Sequence, residues 1–180
     1  CVVEAGIDYL WIGARSVTNP FAVESIASAL KGASDVAVLV KNPVNPDLDL
    51  WIGAIERLYN AGVRRIAAVH RGFSSYNEKL YRNSPFWSLP IELKRRFPDM
   101  EILCDPSHIC GKREFIADVA QQAMDLDFNG LMIESHINPS EALSDSMQQL
   151  EPGELKRILA NIVVRENSTD VSGIVALRGQ

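Results

Sequence analysis

The 180-residue chain contains no run near the ~18 continuous apolar residues that a membrane span needs, and no basic-then-apolar segment opens it. A basic face is also missing: 18 Lys and Arg stand against 23 Asp and Glu, a formal charge of −5. That balance excludes a general nucleic-acid binder. Cysteine is scarce. Cys1, Cys104 and Cys110 form an odd, sparse set, which excludes a disulfide framework and leads us to expect a reducing, cytoplasmic compartment. Cys104 lies inside an apolar segment and reads as a small buried hydrophobe. Cys110 has no second thiol nearby on which to build a metal site. What the chain does have is core: 47% of its residues are hydrophobic and 23% charged, so it folds.

Five apolar runs each end in a polar or charged group. Tyr9-Leu-Trp-Ile-Gly-Ala-Arg15 ends in arginine and Val36-Ala-Val-Leu-Val-Lys41 in lysine. Ile66-Ala-Ala-Val-His-Arg71 ends in a His-Arg pair, Ile102-Leu-Cys-Asp-Pro-Ser-His108 in Asp and His, and Leu131-Met-Ile-Glu134 in glutamate. Segments of helical period separate them. Continuous apolar strands alternating with helices predict a parallel sheet buried on both faces. In such folds ligands bind at the carboxyl ends of the strands.

The expected strands cover residues 8–13, 36–41, 65–70, 101–105 and 130–134. Helices are expected from Phe21 to Gly32, Asp47 to Gly62, Trp87 to Phe97, Lys112 to Leu126 and Pro152 to Val164. Arg15 to Pro20 reads as a loop, with Thr18 or Asn19 as the N-cap of the helix that follows and Pro20 in its first turn. Residues 72–85 form a long polar stretch, and a loop above ~12 residues is usually functional or mobile. Its Tyr76 and Tyr81, with Trp87, are expected to pack the loop rather than line a pocket. The stripes Leu50/Ala54/Leu58 and Phe115/Val119/Ala123 read as core. Val2 to Gly6 reads as a helix end, so the sequence is expected to begin partway into a domain. Residues 166–172 read as a linker. Five units fit either a doubly wound sheet or the second part of a barrel, and the pattern alone does not choose.

Each strand end has its own chemistry. A guanidinium beside Gly13-Ala14 suits a phosphate, and Lys41 and Arg71 repeat the placement. Pro106 is expected to force a turn that points His108 back over the sheet. His108, Glu134 and Asp145 on one rim make an N/O set for Mn²⁺, Fe²⁺, Co²⁺ or Zn²⁺. His136 is read as a substrate contact or a support for a ligand.

In order and spacing, Ile-Gly-Ala-Arg15, Leu-Val-Lys41, His-Arg71-Gly, Asp105-Pro-Ser-His108, Met-Ile-Glu134-Ser-His and Leu-Ser-Asp145 resemble one family. It is that of the class I 3-deoxy-D-arabino-heptulosonate 7-phosphate (DAHP) synthases. The resemblance implies a (β/α)₈ TIM barrel, of which residues 1–165 would supply about the last five units, truncated at the N-terminus. It implies condensation of phosphoenolpyruvate with erythrose 4-phosphate at the head of the shikimate pathway, by a fragment inactive alone. By the same resemblance Ala14 (through its amide), Arg15, Lys41, Arg71 and His108 bind phosphoenolpyruvate. Lys41 and His108 are the catalytic pair, Asp145 borders erythrose 4-phosphate, and His108, Glu134 and Asp145 hold the divalent metal. The family's fourth ligand, a cysteine in a Gly-Pro-Cys motif, and its Lys-Pro-Arg-Thr segment are absent, and Cys1 sits in no such motif. Asn42-Pro-Val-Asn-Pro46 departs from relatives that carry glycine after the lysine.

Residues 173–180 resemble the start of a helical chorismate mutase domain. The expected partners are the two substrates, the missing N-terminal barrel half and further copies of the complete chain, with no nucleic acid and no membrane. Two other readings stand beside this one: a 3-deoxy-manno-octulosonate 8-phosphate synthase, and a non-catalytic phosphate-binding α/β module.

Overall fold

The computed structural model describes residues 6–33 and 35–164. Cys1, the expected helix end before Gly6, the linker at 166–172 and the helical segment at 173–180 lie outside the described residues. Five parallel strands lie side by side in chain order: β1 (Tyr9–Ile12), β2 (Ala37–Lys41), β3 (Ile66–His70), β4 (Glu101–Cys104) and β5 (Gly130–Leu131). A doubly wound sheet reverses its strand order at a switch point. Here every crossover moves one strand in the same direction, as in a barrel wall.

Among the described residues, seven α-helices accompany the strands: α1 (Ala14–Val17), α2 (Pro20–Ala29), α3 (Leu48–Asn60), α4 (Ser88–Arg96), α5 (Pro106–Cys110), α6 (Ile116–Asp125) and α7 (Pro152–Asn161). Their starts follow the side chains that precede them. Asn19 accepts hydrogen bonds from the amides of Phe21 and Ala22, with Pro20 at the first position of α2. Asp47 accepts from Leu50 N–H at 2.9 Å and opens α3. The apolar face of α3 buries Trp51, Ala54, Ile55 and Leu58, and the Trp51 indole donates to the Val40 carbonyl at 3.1 Å. That bond fixes α3 on β2.

Register and strand alternation divide the sheet into two faces. Ile12, Val38, Val40, Ala68, Ile102 and Cys104 share one face and belong to the main core with the helices. The other face carries Tyr9, Trp11, Leu39, Lys41 and Val69. On β1 this second face is open: Tyr9 is 60% exposed and Trp11 61%.

Three local expectations are corrected. The stretch from Arg15 to Pro20 is not all loop, because Ser16 and Val17 both donate to the Gly13 carbonyl and start α1. Pro106 does not make a simple turn. It is the first residue of α5, where a missing N–H costs nothing, and Asp105 caps that helix by accepting from His108 N–H at 3.0 Å. β5 ends at Leu131 rather than Glu134, because its neighbour β4 has by then given way to α5. The Glu134 amide donates instead to the Ser107 hydroxyl at 3.0 Å.

Candidate phosphate and metal site

The carboxyl ends of β2, β3 and β4 meet first. Lys41 Nζ reaches Asp105 Oδ2 at 2.8 Å, and both groups are buried. His108 Nδ1 stands 2.8 Å from the same oxygen. Burial alone would raise the Asp105 carboxyl, but His108 and the Lys41 ammonium outweigh it and hold the group below the usual carboxylate range. A carboxylate held this close to the ring can orient an imidazole for a metal.

Arg71 is 9% exposed. Its backbone amide donates to Asn42 Oδ1 at 2.7 Å, and its guanidinium donates to Asn83 Oδ1 at 2.7 Å. Asn83 Nδ2 in turn donates to the His108 carbonyl at 2.7 Å, so one asparagine ties the arginine to the histidine. Burial lowers the Arg71 guanidinium below its ordinary value; Asp105 opposes this, while Arg82 and Arg15 push the same way. His70, its neighbour in sequence, faces the helices. Its ring lies among Phe73, Trp87 and Phe128 at centroid distances of 5.7, 5.1 and 6.1 Å. Burial pushes its pKa down to about 3, and the Pro85 backbone, which acts in the opposite sense, does not compensate.

The long stretch after β3 is ordered by backbone pairing. Phe73 and Ser84 exchange both backbone hydrogen bonds at 2.8 Å, and the amides of Arg82 and Asn83 donate to the carbonyls of Cys110 and Ile109. Glycines allow this approach. Gly72 (φ +77°) and Gly111 (φ +66°) face Asn83 and Arg82 at distances where a Cβ would collide. Tyr81 packs edge-on to Phe115 and Trp87 to Phe128. Tyr76, at 95% exposure, does not pack as expected.

Ala14, Arg15, Lys41, Arg71, His108, Glu134 and Asp145 all line one cleft of about 830 Å³, with Trp11, Arg82, Asn83, Asp105 and Met132 among its other walls. His108, Glu134 and Asp145 each offer a ligand atom, and these atoms lie within 4.8 Å of one another. One imidazole and two carboxylates so grouped fit a divalent cation of the Mn²⁺ to Zn²⁺ series. Asp145 adopts a left-handed φ of 53°, which aspartate tolerates better than most residues. The hydrogen bond from Arg82 holds its carboxyl below the ordinary range. His136 is not among the residues lining the cleft; its Nδ1 lies 2.7 Å from the Asn138 carbonyl oxygen and 3.0 Å from the Asn138 amide nitrogen. Burial raises the Cys104 thiol well above its usual value and that of Cys110 to about 12, which disfavours the reactive thiolate at both.

A family model described as DAHP synthetase I family matches residues 2–170. The chain belongs to this family. It is 31% identical over 144 residues to a phospho-2-dehydro-3-deoxyheptonate aldolase of Thermotoga maritima, covering 80% of this chain and 40% of the relative. Among solved structures it resembles a truncated form of 3-deoxy-D-arabino-heptulosonate 7-phosphate synthase from Thermotoga maritima, with TM-score 0.77 and 28% identity over 88% of this chain and 58% of that one. A phospho-2-dehydro-3-deoxyheptonate aldolase (DAHP synthase) from the same organism matches with TM-score 0.78 and 27% identity, over 89% and 45% of the two chains. The chain thus spans roughly two-fifths to three-fifths of the length of these relatives. Its parallel sheet of β/α units matches part of the DAHP synthase TIM barrel.

Asp105, Arg82, Asn83 and Gln148 were not foreseen as parts of the site. Asp105 carried a signal in its place before Pro106, where an N-cap is favoured. Arg82 and Asn83 carried none, because their partners lie far away in sequence.

Proposed function

We propose that this chain carries the phosphoenolpyruvate pocket and three metal ligands of a class I DAHP synthase. The observation that carries the reading is the convergence of Arg15, Lys41, Arg71, His108, Glu134 and Asp145 on a single cleft. The first three supply positive charge at three points, enough to neutralise and orient the phosphate and carboxylate of phosphoenolpyruvate. The Ala14 amide lies in the first turn of α1, where N–H groups lack a helical acceptor and can add to that hold. Lys41, fixed by Asp105, holds its charge at one distance from the bound anion.

The metal, when bound by His108, Glu134 and Asp145, supplies Lewis acidity toward the aldehyde of erythrose 4-phosphate. The methylene carbon of phosphoenolpyruvate attacks that aldehyde carbon, and the aldehyde oxygen gains a proton. Water adds to the cationic carbon left behind, and the C–O bond to phosphate breaks to give the ketone and inorganic phosphate. The cations keep the enol face and the departing phosphate aligned throughout.

A cytoplasmic setting, supported by the free buried thiols Cys104 and Cys110, and self-association of the complete chain belong to the same proposal. The test is condensation by the protein with all its barrel units, followed as loss of phosphoenolpyruvate absorbance and release of phosphate. Turnover should require erythrose 4-phosphate and a divalent metal, and should disappear in Lys41→Ala and Glu134→Ala. Equal turnover with arabinose 5-phosphate, or metal-independent turnover in Glu134→Ala, overturns the assignment.

A further inference from the structure

Gln148 is 1% exposed, and three residues beyond Asp145 its side chain contacts the Glu134 carboxylate. Its Nε2 donates to Glu134 Oε2 at 3.0 Å, and its Oε1 accepts from Arg82 Nη1 at 2.8 Å. The same Arg82 nitrogen donates to Asp145 Oδ1 at 2.6 Å. Chemistry fixes the amide's orientation: only the oxygen can face a guanidinium, and only the nitrogen can face a carboxylate. A chain of three hydrogen bonds therefore joins Glu134 to Asp145 through Gln148 and Arg82. It occupies one oxygen of each carboxylate. The other Glu134 oxygen, Oε1, is turned toward His108 at 3.6 Å from its Nδ1.

Both ends of the bridge are anchored. The Gln148 backbone N–H donates to the Asp145 carbonyl at 3.0 Å, closing the turn in which Asp145 is left-handed. Arg82 is clasped at its backbone by Cys110 and lies against Gly111. A buried glutamine that made no such bonds would carry a desolvation cost with nothing to offset it.

We infer that Gln148 is a positioning residue of the metal site, turning one oxygen of Glu134 and, through Arg82, one of Asp145 toward the ion. This rests on the proposed metal-dependent reading of the cleft. Groups that orient metal ligands in this way typically change affinity by about 10- to 100-fold when removed.

The test uses Co²⁺ alone as probe, titrated into the full chain by its visible absorption, with inorganic phosphate binding measured in parallel. Gln148→Met keeps the volume and loses both hydrogen bonds. Gln148→Asn keeps an amide but falls one methylene short, and serves if methionine unfolds the chain. The expected result is Co²⁺ binding weakened about 10- to 100-fold, with phosphate binding, which depends on Arg15, Lys41 and Arg71, unchanged. Wild-type Co²⁺ affinity in either folded variant overturns the inference, and so does a parallel loss of phosphate binding, which marks a merely structural role. If the wild-type chain binds no Co²⁺, with His108→Ala as the reference for a lost ligand, the metal reading itself fails and the inference falls with it.

Discussion

Lys41 and Arg71, at the ends of the central strands, are 8% and 9% exposed, and each grips a buried partner, Asp105 or Asn83. Arg15, in the one-turn helix α1, and Asp145, in a loop, lie on the two flanks of the same cleft; Arg15 is exposed and Asp145 half-buried. The centre of the rim is thus part of the packed interior, and its charges are set before any ligand arrives. On the flanks Arg15 rests on a local turn, whereas Asp145 is also tied by the distant Arg82. Stability and ligand binding should therefore come apart along the rim.

The largest effect should come from breaking the centre. Asp105→Ala strands the Lys41 ammonium in the interior and removes the α5 cap, and should cost about 3–5 kcal/mol in denaturant unfolding. A midpoint near that of the wild type would show that water reaches Lys41. Next, Gly72→Ala forces a left-handed φ on a side chain and drives its Cβ to 2.8 Å from Asn83. It should cost about 1–3 kcal/mol and loosen Arg71, read as weaker phosphate binding.

The pH dependence sharpens the contrast between Arg71 and the residue before it. His70 titrates near 6.5 when unfolded and at about 3 when folded. Between those values the unfolded chain holds the extra proton, so stability falls as pH drops, by about 1.4 kcal/mol per unit from this group. The contribution is constant above the upper value. His70→Phe should flatten that part of the stability curve; parallel wild-type and variant curves would contradict the burial of the ring. The smallest change in stability belongs to the flank. Arg15→Ala should stay within about 0.5 kcal/mol of wild type while weakening phosphoenolpyruvate binding about tenfold, or ~1.4 kcal/mol. A destabilisation as large as that of Gly72→Ala would erase the distinction between centre and flank.

The strand ends were legible because burial on both faces leaves little in a strand but apolar residues, so a charge at its close stands out. Asn19 announced α2 by capping chemistry, and the apolar stripe Leu50/Ala54/Leu58 announced α3. Two regions were opaque for a shared reason. The strand order and the folding of residues 72–85 depend on contacts between distant segments, such as Phe73 with Ser84 and Arg82 with Gln148. The α5 helix hid behind Pro106, which marks a helix start as readily as a turn. Gln148 read as one more polar residue in a loop, because a buried amide is recognised by its partners and not by its neighbours in sequence.

The open face of β1 gives the cleft an optical reporter. Of the tryptophans, Trp51 is fully buried and Trp87 packs against His70, whereas Trp11 is 61% exposed and lines the cleft. Excitation at the red edge and quenching by iodide select such a solvated indole. A phosphorylated ligand settling beside Arg15 would screen Trp11 from the quencher, so the chain can signal occupancy by its own emission, without a label or a coupled assay.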